Sequence, residues 1–211
     1  GLTSTSHTAD GYPSETLADG FRTFDDGASF RPEPYVRTGA LGCIGSMFST
    51  VDDIATWMWF LGSAFTDEPL APGVLAPASR IEMQQPRTPI AVPSGMFDGR
   101  DLAGAGYGYG LFVEEDRRFG RIVQHSGGLP GFSSHMRWHA ATGVGVVAFG
   151  NSDEFGARRV AGTALHEVLD RIDAPSAVVQ PWPETVTAAQ SIDAAILEGR
   201  RAADYPFLAD H

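Results

Sequence analysis

The chain has no lysine; all 15 of its basic side chains are arginine. No ε-amino group is therefore present to act as a general base or to form a Schiff base. Cysteine occurs once, at Cys43, so no internal disulfide forms and the redox compartment stays open. A single cysteine with no histidine near it in sequence reads as a small buried hydrophobe rather than a nucleophile. Asparagine also occurs once, at Asn151. No run is long and apolar enough to cross a bilayer, and no signal-peptide pattern is visible. Positive charge is scarce against 26 acidic residues, which leaves a formal net charge of −11 and a pI of about 4.8. That field repels phosphates and anionic lipid, so nucleic acids and membrane surfaces are poor partners.

What remains is a foldable composition. Of the 211 residues, 43% are hydrophobic, enough for a packed core and too many for a disordered chain. The first 39 residues are rich in Gly, Pro, Ser, Thr and Asp and read as loop. So long a loop suits a segment that covers a site or packs on something else. The chain opens at Gly1 without a methionine, as a polypeptide entered part-way through would.

A helix is expected over Val51–Leu61. Ser49 or Thr50 is the N-cap, Asp53 a capping-box partner of Thr50, and Gly62 the C-terminal cap. Ile54, Trp57, Met58, Trp59, Phe60 and Leu61 make it apolar on most faces, so it should be largely buried. A short helix follows over Ala78–Gln84, then a Gly/Pro/Asp-rich connector to Gly106.

From Tyr107 the period changes to two. "YGYGLFVEED", "RIVQHS", "FSSHMRWH" and "VGVVAFG" read as four strands with short turns, and Gly143 supplies positive φ to one hairpin. Phe132, Met136 and Trp138 share one strand face; Ser133, His135, Arg137 and His139 share the other. Val144–Phe149 is nearly continuously apolar and reads as an inner strand covered on both faces. It needs a neighbour on each side, and the meander supplies one, so strands from sequence before Gly1 are expected. The stripe Ala157, Val160, Ala161, Ala164, Leu165, Val168, Leu169 is a helix laid on the sheet. The tail opens with prolines and offers a helix over Glu184–Leu197. This order gives an α+β fold: residues 1–106 a loop-rich helical part, 107–172 antiparallel strands with their covering helix, 173–211 linker and tail.

One stretch carries candidate chemistry: His125-Ser126-Gly127-Gly128, at the end of a strand before the chain turns. Two glycines let a substrate approach the backbone, and an N–H there can face a developing oxyanion. The imidazole and hydroxyl can bind a carboxylate or move a proton. On spacing alone a plain turn is the favoured reading. His135 and His139, about 13 Å apart on one face, cannot share a metal and read as surface groups. His166 reads as exposed, the "EEDRRFG" turn as a solvated hairpin tip, and Trp57 and Trp59 as core. No cofactor or metal is implied.

The ordered set "GALGCIGSMFSTVDDIATWM", "HSGG", "PGFSS", the "TG" hairpin and "GVVAFGNS" before a covering helix resembles the serine β-lactamase-like hydrolases. That superfamily holds class C β-lactamases, penicillin-binding DD-peptidases, D-amino-acid peptidases and related esterases. The resemblance spans about Gly39 to Asp170. It implies a β-lactamase/transpeptidase-like fold and an acyl-enzyme reaction on an amide or ester. His125, Ser126 and Gly127 fall on the family's third motif, and Gly128 falls where a backbone N–H completes the oxyanion hole. Gly127 and Tyr107 would line the substrate's path.

The departures are equally specific. With no lysine, the nucleophile motif Ser-x-x-Lys cannot lie here. Phe149 stands where the tyrosine of Tyr-x-Asn would precede Asn151. The resemblance therefore implies the C-terminal portion of such a hydrolase, inactive alone, whose partners are a small-molecule or peptide substrate and the missing N-terminal part. A histidine in the place of the motif's lysine carries less charge at neutral pH, which favours an ester or peptide over a carboxylate-gripping β-lactam site. The alternative is a non-catalytic binding or structural domain of the same fold.

Overall fold

A computed structural model of the chain describes residues 1–36, 39, 42–92, 96–97, 100–175, 194 and 199. Gly1–Ala177 forms one compact unit and Val178–His211 another. The helix expected over Glu184–Leu197 lies, Ala194 apart, outside the described residues. In chain order the elements are β1 (Gly20–Arg22), β2 (Arg31–Glu33), α1 (Val51–Gly62), α2 (Pro77–Met83), β3 (Thr88–Ile90) and β4 (Met96–Phe97). There follow β5 (Arg100–Tyr107), β6 (Phe112–Asp116), β7 (Gly120–Leu129), β8 (Phe132–His139), β9 (Gly145–Gly150) and α3 (Ala157–Arg171). β1 and β2 pair with each other. The other strands form an antiparallel sheet ordered β3-β5-β6-β7-β8-β9, with β4 beside β5. The fold is α+β, as the alternation of periods predicts.

The sheet has a helix on each face. On one side Met58 and Leu61 of α1 pack with Leu111, Val123 and Trp138. On the other, Leu165 and Leu169 of α3 pack with Phe119 and Ile122. The alternation read for β8 holds: Met136 and Trp138 meet α1, and Arg137 and His139 lie on the α3 side. Each of these apolar side chains contributes about 1.5–3 kcal/mol on burial.

Thr50 caps α1 through its side chain, which accepts from the Asp53 N–H at 3.2 Å. The reciprocal half of the capping box does not form. The Asp53 carboxylate accepts instead from Ser4 N–H and Thr5 Oγ1, both at 2.7 Å, and so clips the N-terminal segment onto the helix. At the other end Ser63, not Gly62, is the C-cap. The open carbonyls there are met from α2: Arg80 donates to Phe60 O and Gln84 Nε2 to Leu61 O at 3.0 Å. Burial of α1 is narrower than its composition suggests. Trp59 is 66% exposed, because only one face of a 12-residue helix can lie on the sheet.

Other expectations need correction. The first strand of the meander begins at Arg100, within what reads as connector, because a buried ion cluster holds it. Glu114 Oε2 accepts from Arg137 at 2.8 Å, Oε1 from Arg100 and from Gln124 Nε2 at 3.1 Å, and the three charged side chains are nearly inaccessible. Glycine is needed along β5, since a Cβ on Gly106 would lie 2.6 Å from Pro86 Cβ. The β6–β7 hairpin tip is not fully solvated: Phe119 is buried, and Asp116 Oδ1 accepts the N–H groups of Arg118 and Phe119 at 2.8 and 3.0 Å. Cys43 is exposed rather than buried. His166 is only partly exposed, its Nε2 lying 3.3 Å from Asp116 Oδ2. α1 and α3 both contact β9, but the strand is not the covered inner strand expected: none of its residues is buried and Phe149 is exposed. It is the outer strand of the sheet among the described residues, touched beyond its end by one bridge, Phe21 to Ser152.

The ion cluster yields a prediction. Glu114→Gln leaves two buried guanidinium groups without their shared anion and costs about 3–5 kcal/mol in a urea titration. A loss under about 1 kcal/mol would show that the cluster does not hold β5 and β8 in place.

Candidate active site

The His-Ser-Gly-Gly stretch is strand, not turn. β7 continues to Leu129, and the reversal is made by Pro130 and Gly131, whose φ of +82° after a proline fits a type II turn. A Cβ on Gly131 would also lie 3.0 Å from Gly20 Cα, where the β1 hairpin docks on this turn.

This two-residue turn fixes which way each backbone group points. Leu129 faces Phe132 across it. The pair closing such a hairpin is hydrogen-bonded, and pairs alternate from there. At the far end Ala140 N–H donates to Arg121 O at 3.0 Å, which is the same parity. Odd-numbered residues of β7 thus bond to β8. Ser126 and Gly128 turn their N–H and C=O groups to the opposite edge. β6 ends there, with Phe112 facing Gln124. From His125 onward that edge has no strand partner among the described residues, and Ser126, Gly127 and Gly128 are all exposed.

His125 stands one position past the end of β6 and leans on it. Its ring centroid is 5.7 Å from that of Phe112 and 6.3 Å from that of Tyr107, and its Nε2 lies 3.4 Å from the Tyr107 hydroxyl. The structure therefore brings His125 and Tyr107 together beside the open backbone of Ser126 and Gly128. The two glycines differ. A Cβ at Gly127 would sit 2.5 Å from Ser134 Oγ, whereas one at Gly128 would meet nothing nearer than Phe132 O at 4.0 Å. At 127 a Cβ would require the Ser134 hydroxyl to turn away; at 128 it would meet open space on the exposed edge.

The side chains of His125 and Ser126 do not act as one pair. His125 faces Met136 and Ser126 faces His135, so they leave opposite faces of β7. Ser126 Oγ is 2.7 Å from His135 Nδ1. His135 is 1% exposed, not a surface group, and His139 is fully buried, its Nδ1 2.9 Å from Thr142 Oγ1 and its Nε2 2.8 Å from Phe119 O. Burial, reinforced by Arg137, Arg100 and Arg158 and slightly by His125, pulls the pKa of His135 down to about 3. It is a neutral imidazole at any physiological pH. Among the described residues no group of three His, Cys, Asp or Glu side chains is placed to hold a metal ion.

The lowered pKa sets a stability window. The unfolded imidazole titrates near 6.5 and the folded one near 3, so between these values the unfolded chain binds the extra proton. Stability contributed by neutral His135 is present above about pH 6.5 and is lost as the pH falls toward 3. The carboxyls of Asp53 and Asp116 are also lowered, the first chiefly by Thr5. For the second, burial raises it but contacts with His166, Phe119 and Arg118 outweigh that. Both lose their contribution only below about pH 4. Urea midpoints at about pH 6.5 and 4.5 should fall less in His135→Gln than in the parent chain. Equal falls would show that the folded imidazole protonates freely.

A family model described as "Beta-lactamase" matches residues 1–170. No curated protein matches the chain. Among solved structures the fold is similar to that of the octameric penicillin-binding protein homologue from Pyrococcus abyssi, at a TM-score of 0.62 and 21% identity. That likeness covers 80% of this chain and 34% of the neighbour, so this chain spans about a third of the neighbour's length. Members of the matched family are in general serine hydrolases. The family match takes in α1, the whole sheet and all but the last residue of α3: the chain belongs to the beta-lactamase family.

Proposed function

We propose that this chain supplies one wall of the acyl-transfer site of a serine hydrolase, and that the attacking serine comes from polypeptide outside these 211 residues. The observation that carries the reading is the unpaired edge of β7, where Ser126 and Gly128 present backbone N–H groups beside His125 and Tyr107. An N–H on such an edge is fixed in direction before reaction, which is what stabilising a developing oxyanion requires. Two further facts support the division of labour. No lysine is available to activate a serine within the chain, and the outer edge of β9 has no full strand partner among the described residues.

In this reading the serine adds to the carbonyl of an ester or amide. The carbonyl oxygen becomes an oxyanion held by Gly128 N–H. The leaving alcohol or amine departs with a proton, and water releases the acyl group from the serine oxygen. His125, with Tyr107 beside it, lies where it can relay a proton or bind the substrate's polar group. Ser126 lies where its hydroxyl can contact the substrate's carboxylate or carbonyl. The substrate class is an ester, D-amino peptide or β-lactam.

The test uses the longer protein that carries this chain, assayed with a chromogenic ester and with nitrocefin. His125→Ala is expected to lower kcat/KM by about 10²-fold while the melting temperature stays close to the parent's. Gly128→Ala, which adds a methyl only to open space, is expected to keep its fold and lose turnover by a similar factor. The 211-residue chain alone is expected to show no turnover. Acyl-enzyme formation unaffected by both substitutions, or a burst from the short chain itself, would overturn the proposal.

A further inference from the structure

Ser126 and His135 form a hydrogen-bonded pair of unusual asymmetry: the hydroxyl is exposed, the imidazole 1% exposed. Their side chains meet because Ser126 and His135 face each other in a non-hydrogen-bonded pair of the hairpin, the kind that brings side chains closest. A hydroxyl so placed can donate to the ring and offer only lone pairs outward, or accept from the ring and keep its own O–H for a ligand. Which of the two holds depends on the far end of the imidazole.

That end is buried. His135 Nε2 is inaccessible and has no hydrogen-bond partner in the structure. The cations with the largest effect on the ring are Arg137 two residues along β8, Arg100 on β5 and Arg158 on α3; the first two share the Glu114 carboxylate. An N–H at Nε2 would be a buried donor without an acceptor, which carries the full cost of a stranded donor. A lone pair at Nε2 strands no donor, and Arg137 Nε and Nη1 are themselves buried donors without acceptors. The proton of the neutral ring then belongs on Nδ1, where it is donated to Ser126 Oγ. We propose that His135 is a positioning residue: by donating Nδ1–H to Ser126 it leaves the Ser126 hydroxyl free to donate outward, and so selects substrates that carry a carboxylate beside the scissile carbonyl.

The selectivity half rests on the acyl-transfer reading above; the proton position does not. A Ser126–His135 dyad acting as nucleophile and base is a different matter. With its proton affinity lowered so far, the ring is a weak base, and it serves here as a donor.

Two measurements test the inference. In the 15N-histidine-labelled chain, NMR should show His135 neutral from about pH 5 to 8, with the proton on Nδ1. A ring protonated at Nε2, or one titrating near its ordinary value, overturns the proposal whether or not the protein is a hydrolase. In the longer protein, two matched esters are compared, one bearing a carboxylate and one without it. His135→Leu removes the donor and should lower the ratio of kcat/KM for the first over the second about tenfold, through KM. His135→Asn keeps an N–H for Ser126 and should restore most of that ratio. Equal losses on both esters, or no restoration by asparagine, would mean that His135 only packs. No hydrolysis of either ester by the parent protein would sink the acyl-transfer reading and with it the selectivity half of the proposal, while the NMR result still decides where the proton sits.

Discussion

The arrangement rests on one backbone constraint: β7 outruns β6. An antiparallel strand sends its hydrogen-bonding groups alternately to its two neighbours. Where one neighbour stops, every second residue is left with an N–H and a C=O aimed at nothing. Among the described residues that happens from His125 onward, on a segment still held along its other side by β8 through Leu129. An open edge that is rigid and short is uncommon in folded proteins, which usually cover or charge such edges. Here it is bordered by an imidazole, a phenol and a glycine whose missing Cβ leaves space. The proposed carbonyl-binding role rests on that combination rather than on any single side chain.

The rest of the unit keeps the edge in position. α1 and α3 press on the two faces of β8 and β9, the strands that carry β7's paired side. Beneath it, Glu114 ties β6 to β5 and β8 through two arginines in a nearly water-free site. Such clusters cost desolvation and add little net stability, but removing one partner strands the others as buried charges. A one-residue slip of β7 would also reverse its backbone parity and turn Gly128 N–H back toward β8. Register and site are therefore one requirement. At the other end of α1, Arg80 and Gln84 close the helix's open carbonyls, and Asp53 holds the N-terminal segment against its start.

Much of this was legible in the residues. Alternation placed Met136 and Trp138 on the face opposite Arg137 and His139, and the Thr50 cap began α1 where expected. The His-Ser-Gly-Gly stretch and its neighbours carried the family resemblance. Other features depend on three-dimensional partners that sequence does not display. Trp59 looked like core because composition cannot say which face of a helix meets a sheet. Arg100 looked like loop because its strand is held by a carboxylate fourteen positions away. Asp53 looked like a capping-box partner because its actual partners, Ser4 and Thr5, lie in a segment with no regular period. His135 looked like a surface histidine, yet a signal existed. Counting back from a Pro130-Gly131 turn pairs Leu129 with Phe132 and therefore Ser126 with His135. Ending the strand at Ser126, with Gly127–Gly131 left as turn, hid the contact.

The most direct measurement is a crystal structure, bound to a phosphonate or boronate that mimics the tetrahedral intermediate, of the proposed longer protein that includes this chain. The account predicts an inhibitor oxygen about 3 Å from Gly128 N, on the side of β7 facing away from β8, with the covalent bond to a serine outside these 211 residues. An inhibitor bound elsewhere, with that edge of β7 paired to another strand, would contradict it.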